Sequence, residues 1–261
     1  MTLPEPVRRF CYAAWGLEAA ARRMPWGVVT ADADHPLIHD ANNACVLEAD
    51  PTLTPEAIRA ALHPLLEDAR VAFEHLEFWE ASDRIPALRE LRLGGTAHPA
   101  DLVMVFEGAR RERGTPPGVT VQDVRDPDPS FWPWYRGAFR EFDDGLTEPE
   151  LDQLTDRART IFHPAGLRWS VGTIGGERAG YTSVLSLEGV AYLDNVVTMP
   201  AFRRRGVASA TVMAAVRTAL AEGNELVFLL AERGAPPARL YERLGFGTRA
   251  QVETFHGPFP P

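Results

Sequence analysis

The chain has 261 residues, 45% hydrophobic and 24% charged, with a formal net charge of −9. That length suits two domains of ordinary size, and that composition supplies each with a core, which excludes a disordered chain. The acid excess argues against a nucleic-acid partner, since phosphate binding is driven by clustered Lys and Arg, and it suits a cationic, amine-bearing substrate better.

Cys11 and Cys45 are too few and too isolated for a disulfide framework or a metal site, so they are expected to be reduced thiols. The first residues, through Arg23, carry the pattern of a short amphipathic helix ending before Pro25, and nothing of signal-peptide character. No run of about 18 apolar residues could span a membrane. A cytoplasmic location is the expectation.

In chain order, a strand is predicted near Leu37 to Leu47 and a helix from Pro55 to about Arg70, with Pro55 in its first turn. A strand at His75–Trp79 follows, then a helix from Ile85 to Leu93 closed by Gly94-Gly95, and a strand at Leu102–Phe106. The stretch from Gly108 to Gly118, with Thr115-Pro116-Pro117, is a linker by composition. It divides the chain into an N-terminal domain (1–107), a linker (108–118) and a C-terminal domain (119–261).

The second half opens with a strand at Val119–Val124 and helices at Phe131–Phe142 and Glu148–Ile161. Strands at Leu167–Ile174 and Arg178–Leu187 form a hairpin through Gly175-Gly176-Glu177. A strand at Ala191–Thr198, a helix at Val207–Ala221, a strand at Leu226–Ala231, a short helix at Pro237–Leu244 and a strand near Thr248–Phe255 complete it. The expected fold class is mixed α/β, with helices on the faces of a mixed sheet. The order strand, helix, strand, helix, strand occurs in both halves, which points to a diverged internal duplication.

One segment carries the functional reading. In Tyr192-Leu-Asp-Asn-Val-Val-Thr-Met-Pro-Ala-Phe-Arg-Arg-Arg-Gly206-Val-Ala208-Ser209, a Val-rich strand runs into a tight basic loop and the loop into a helix. A helix N-terminus leaves its first N–H groups unpaired and carries partial positive charge, so it attracts a phosphate. Gly206 and Ala208 keep bulk away from that cradle, and Arg203, Arg204 and Arg205 add charge. The helix is expected to pack through Val212, Met213, Val216 and Leu220. The apolar strand Leu226–Leu230 behind it is expected to lie parallel to the strand before the loop. Neither the nucleoside-triphosphate loop nor the dinucleotide glycine pattern is present.

Arg203-x-x-Gly206-x-Ala208 resembles the Gln/Arg-x-x-Gly-x-Gly/Ala signature of the GNAT superfamily of acyl-CoA N-acyltransferases. Val196-Val197-Thr198, Pro200 and Leu240-Tyr241-Glu242-Arg243-Leu244-Gly245-Phe246 match the family's pattern in order, so the likeness covers roughly residues 119–255. The resemblance implies a mostly antiparallel sheet with a parallel pair, expected here twice as two tandem domains, and acetyl transfer from acetyl-CoA to an amine by direct attack. It assigns the pantetheine arm to the backbone of Val196, Val197 and Thr198, and the pyrophosphate to Arg203, Arg204, Arg205, Gly206, Val207, Ala208 and Ser209. It assigns protonation of the leaving thiolate to Tyr241, a phenol of ordinary pKa about 10 against a thiol of about 8.5.

The family also needs a base for the amine. Asp194 is the candidate, two positions before Val196, and strict alternation would place it on the face of Val196 and Thr198. Glu141, Asp143 and Asp144 are further acids that could line an acceptor pocket. The chain departs from the family at Gly234, where many members carry an Asn, and at Pro236-Pro237.

Other features have plainer readings. Phe131-Trp132-Pro133-Trp134-Tyr135 fits core packing better than a cage for a cationic acceptor. His35, His39 and His163 read as surface or capping residues, since no third ligand accompanies them at useful spacing, and no metal site is expected. In the first half, the counterpart of the phosphate loop, Leu47 to Pro55, holds two acids and neither Arg nor Gly, so that half reads as a degenerate copy that does not bind coenzyme.

The leading function is thus an N-acyltransferase acting on a small-molecule or peptide amine, as monomer or homodimer, without nucleic acid or membrane. The alternative is a catalytically inactive, coenzyme A-binding regulatory protein. An RNA-associated module is disfavoured by the charge.

Overall fold

The computed structural model describes residues 2–94, 98–108, 115–142 and 145–259. Asp143, Asp144, Gly95 and most of the expected linker, 109–114, lie outside the described residues. In chain order the elements are α1 (Glu5–Trp15), β1 (Arg22–Met24), β2 (Gly27–Thr30), β3 (Asn43–Val46), α2 (Pro55–Ala69), β4 (Phe73–Phe78), α3 (Pro86–Gly94), β5 (Asp101–Phe106) and β6 (Val119–Val124). Then come α4 (Phe131–Phe142), α5 (Glu148–Arg157), β7 (Arg168–Ile174), β8 (Glu177–Leu187), β9 (Val190–Thr198), α6 (Val207–Ala221), β10 (Leu226–Glu232), α7 (Pro236–Leu244) and β11 (Phe246–Pro258).

Local chemistry sets the helix ends. Thr54 caps α2 by accepting from the Ala57 N–H, Pro55 occupies the first turn, and Arg70 ends the helix in the left-handed region. Thr147 and Glu150 form a reciprocal capping box on α5, which then runs into a π-type turn at Ala158–Phe162. The expected strand from Leu37 to Leu47 is shorter than its apolar residues imply. Asn42 is buried and gives its amide to the carbonyls of His35 and Ile38 while accepting from the Asp32 N–H, so the chain loops there and extends only from Asn43. The strands β1 and β2 were not expected.

The chain divides into two compact units, and the division is not at one point. The first unit holds Met1–Met104, Ala231–Ala238 and Thr248–Pro261; the second holds Val105–Leu230 and Arg239–Gly247. The linear partition read from the sequence misses that the last strand belongs largely with the first unit, where β11 runs antiparallel to β4 from Glu253↔Phe78 to Pro258↔Phe73.

Within the first unit the strand order is β1-β2-β3-β4-β11-β5. β2 and β3 are antiparallel, and β3 and β4 are parallel. One face carries the core, in which Val29, Val46, Leu76, Phe78 and Phe255 pack with Ile58, Leu62, Leu65 and Leu66 of α2 and Leu88 of α3.

Within the second unit the order is β6-β7-β8-β9-β10. The first three pairings are antiparallel, the last is parallel, and α6 makes the crossover. The turn between β7 and β8 uses Gly175 and Gly176, both at positive φ, as a two-residue hairpin requires. Each unit is therefore a mixed sheet, mostly antiparallel, with one parallel pair flanked by helices.

The buried stripe of α6 differs from the expected one. Val212, Ala215, Val216 and Ala219 face the sheet, whereas Leu220 is 43% exposed. Close approach of β7 and β8 to this helix explains the run of small residues. A Cβ added at Gly172 would stand 3.0 Å from side-chain atoms of Thr211 and Val207.

Candidate active site

The site lies where β9 leaves β10. Their parallel ladder runs from Val190↔Leu226 and ends at Leu193↔Leu229, while the ladder of β9 with β8 continues to Thr198↔Gly180. From Asp194 to Thr198 the β9 backbone thus extends past its pairing with β10.

The cause is a bulge. Asn195 has φ 46°, and the register shifts so that Ser183 stands opposite Asp194 but Tyr181 opposite Val197. Two residues of β9, Asn195 and Val196, therefore oppose Thr182 alone. Strict alternation fails at this point, and Asp194 shares the face of Val197, Tyr181 and Ser183, not that of Val196 and Thr198.

That face looks toward α4. Tyr135 and Phe131 of α4 are buried, and the Tyr135 ring lies 5.2 Å from Tyr181 and 5.5 Å from Trp169. The aromatic run at Phe131–Tyr135 therefore packs the core, as its plainer reading held. The opposite face carries Thr182, whose hydroxyl lies 2.9 Å from that of Thr211 on α6.

Asp194 is partly exposed, accepts from the Asn195 amide at 2.6 Å and lies 3.4 Å from the Tyr192 hydroxyl. Its charge bears on three phenols. Burial, with Asp194 adding to it, pushes Tyr241 up to about 12. Burial also raises Tyr135 and Tyr181, again with a contribution from Asp194. Tyr181 is fully buried and its hydroxyl has no hydrogen-bond partner. Sequence reasoning missed Tyr135 and Tyr181, because only the pairing of β8 with β9, with Ser183 opposite Asp194, shows that Tyr181 shares its face and that Tyr135 packs there.

The loop after β9 turns through Pro200–Phe202, then Arg204 at φ 63° and Gly206 at φ 83°, into α6. The first turn of α6 has no side-chain cap and no acidic residue, so the N–H groups of Val207, Ala208 and Ser209 are left for an external acceptor. Arg203, Arg204 and Arg205 are all exposed. The Arg203 guanidinium is held by the Thr198 carbonyl at 3.3 Å and by Glu141 at 3.4 Å, which engages one of the acids considered for an acceptor pocket. Pro116 packs against Gly206 so closely that an added Cβ would lie 2.5 Å from its ring.

Tyr241 sits on α7, 6% exposed, with its ring 6.1 Å from that of Phe246. Gly234 is exposed with φ 83° and offers no side chain in place of the family's Asn. His163 contacts the Arg125 carbonyl at 2.8 Å, consistent with a capping role. His35, by contrast, is buried and bonded to Asp32 at 2.5 Å, so it is no surface residue.

Residues 128–246 match the sequence profile of the acetyltransferase (GNAT) family. No curated protein matches the chain significantly. Among solved structures, the chain is similar to a GCN5-related N-acetyltransferase from Kribbella flavida, with 18% identity, a TM-score of 0.64, and 97% of this chain and 96% of that one covered. A conserved protein of unknown function from Staphylococcus epidermidis aligns with a TM-score of 0.67 and 12% identity over 90% of this chain and 92% of its own. A tandem GNAT protein from the clavulanic acid biosynthesis pathway aligns with a TM-score of 0.57 and 15% identity over 100% of this chain and 98% of its own. These likenesses establish the fold and its two-domain arrangement. Over residues 128–246, this chain carries a domain of the acetyltransferase (GNAT) family.

Proposed function

We propose that the protein transfers an acetyl group from acetyl-coenzyme A to a primary amine by direct attack. The observation that carries this reading is the continuity of one segment: β9 outruns its parallel partner at Leu193, and nine residues after Thr198 the chain enters an uncapped helix start preceded by three exposed arginines. A strand edge beyond Leu193 can pair with the amide-rich pantetheine arm through Val196, Val197 and Thr198. The N–H groups of Val207 to Ser209, with Arg204 and Arg205, fit a pyrophosphate, and Gly206 at φ 83° makes the turn into the helix under Pro116.

The thioester supplies an activated acyl carbon and a good leaving group. Formation of the C–N bond and cleavage of the C–S bond require one proton to leave the amine and one to reach sulfur. In this reading Asp194 takes the first, directly or through water. Tyr241, protonated at neutral pH, gives a hydrogen bond and then a proton to sulfur.

A phenol near 12 is a weak donor to a thiol of about 8.5, and a mismatch of about 3.5 units would cost about 5 kcal/mol if nothing else changed. Part of that upward push is the charge of Asp194, however. Once Asp194 holds the amine proton, that part disappears and Tyr241 becomes the better acid. Asp194 is then left with a proton and Tyr241 without one, and passage of that proton from Asp194 to the Tyr241 phenolate, directly or through water, restores both groups.

The test is thiol release from acetyl-CoA against a panel of polyamines, aminoglycosides, amino acids and peptides. Amine-dependent release, absent without acceptor, supports the proposal; tight coenzyme binding with no release across the panel would favour a coenzyme A-binding regulatory protein. Gly234, which lacks the family's side chain, is the observation that keeps that second reading. The first unit repeats the parallel strand–helix–strand arrangement in β3, α2 and β4 but has acids where the second unit has arginines. We infer that it is a degenerate copy without coenzyme affinity. Among the described residues no helix is long and apolar enough to cross a membrane.

A further inference from the structure

We propose that the first unit binds a divalent transition ion of the zinc class through His39, His75 and His256. These residues lie 36 and 181 positions apart, so no sequence spacing announces them. The fold brings them together. His75 on β4 stands directly opposite His256 on β11, and His39, on a 3-10 turn, lies against both. The His39 ring centroid is 5.1 Å from that of His75 and 4.1 Å from that of His256. One ring nitrogen from each of the three lies within 4.8 Å of the others.

Hydrogen bonding around His75 prepares it as a ligand. Its Nε2 lies 3.2 Å from Glu77 Oε1, and its Nδ1 is buried with no hydrogen-bond partner among the described residues. A carboxylate on one ring nitrogen fixes the proton there and leaves a lone pair on the other, which is the usual support for a metal-bound imidazole. Glu77 is itself oriented, accepting from the Trp79 indole at 2.7 Å and from the Cys45 thiol at 3.3 Å. The Nδ1 of His256 is likewise buried without a partner.

Two buried imidazole nitrogens without partners are costly in an apo protein. A metal would satisfy both. These side chains project from the face of the sheet opposite the one built by Leu76, Phe78 and Phe255, so their presence is not an accident of core packing.

Three imidazoles suit zinc, nickel or copper rather than magnesium or calcium. Zinc–nitrogen bonds of about 2.0–2.1 Å place tetrahedral ligands about 3.4 Å apart, so the cluster closes by modest side-chain rotation. His39 is exposed on its turn and can make most of that adjustment. Asp40 falls within 4.8 Å of ligand atoms of His75 and Glu77, which adds negative charge beside the cluster. A bound ion would tie the turn at His39 to β4 and β11, stabilising the unit by an amount that grows with the logarithm of the free ion concentration above its dissociation constant.

The test uses the full chain, stripped with chelator and titrated with Zn²⁺ against a chromophoric competitor, with Mg²⁺ as control. One Zn²⁺ per chain, no competition by Mg²⁺ and a melting temperature that rises with Zn²⁺ are expected. His39→Ala, an exposed change that leaves the core intact, is expected to weaken Zn²⁺ binding at least 100-fold, and Glu77→Gln about 10- to 100-fold. His98→Ala, whose ring is 6.0 Å from His256 and outside the cluster, is expected to leave it unchanged. Absence of a stoichiometric site in the wild type, or His39→Ala binding as tightly as wild type while folded by circular dichroism, would overturn the proposal. None of these readouts depends on acyl transfer.

Discussion

Asp194 and Val197 lie on the same face of β9 although three residues separate them, because Asn195 and Val196 together oppose Thr182. Asp194, opposite Ser183, shares the face of Tyr181, and its charge raises Tyr135, Tyr181 and Tyr241. Asp194→Asn is expected to lower kcat/KM for acetyl transfer by about 10²–10⁴-fold, the usual worth of a general base, with coenzyme affinity unchanged. Steady-state kinetics beside a binding titration separate the two quantities; undiminished turnover would remove Asp194 from the mechanism.

The bulge itself can be tested through Asn195. Its φ of 46° suits Asn or Gly but strains a β-branched residue. Asn195→Val is expected to destabilise the protein by about 1–2 kcal/mol in urea unfolding and Asn195→Gly by much less. Equal effects would mean that the left-handed conformation is not what Asn195 contributes.

Gly180 stands beside the bulge on β8. A Cβ there would lie 2.3 Å from the Val197 carbonyl oxygen, a backbone atom that cannot move without breaking the ladder. Gly180→Ala is expected to cost about 1–3 kcal/mol and to weaken coenzyme binding, because it displaces the backbone assigned to the pantetheine arm. A calorimetric melting curve and a coenzyme titration on the same variant read both effects.

For Tyr241 the folded pKa of about 12 exceeds the unfolded value of about 10. Its contribution to stability is therefore complete below pH 10 and is lost as pH rises toward 12. Tyr241→Phe is expected to lose about 1 kcal/mol less stability than wild type between pH 10 and pH 11. Its kcat is expected to fall about 10- to 100-fold at pH 8. Parallel alkaline losses in the two proteins would show that the phenol is not perturbed as described.

Much of this fold is legible in the sequence because local signals agree with tertiary structure. The bounds of α4 and α6 follow from periodicity and from the turn residues that flank them, and the hairpin follows from Gly175-Gly176. β1 and β2 were illegible because each is three or four residues long and gains its place by pairing, not by pattern. The phosphate cradle could be read because its chemistry is contiguous, from Arg203 to Ser209. The face of Asp194 could not, since one residue at positive φ inverts it, and neither could the grouping of His39, His75 and His256, which depends on β11 returning beside β4.

The central claim is that the start of α6 holds the coenzyme's pyrophosphate, and Ala208→Glu tests it most directly. Gly206→Glu is a poorer probe, because its φ of 83° and the adjacent Pro116 would strain the turn itself. At the second position of the helix, Glu is favourable to the helix dipole by about 0.3–1 kcal/mol, so the fold is retained while the carboxylate occupies the anion site. Isothermal titration of acetyl-CoA is expected to show one micromolar site in the wild type and at least a 100-fold loss in Ala208→Glu. Equal affinity in the two proteins, or no binding by the wild type, would contradict the account.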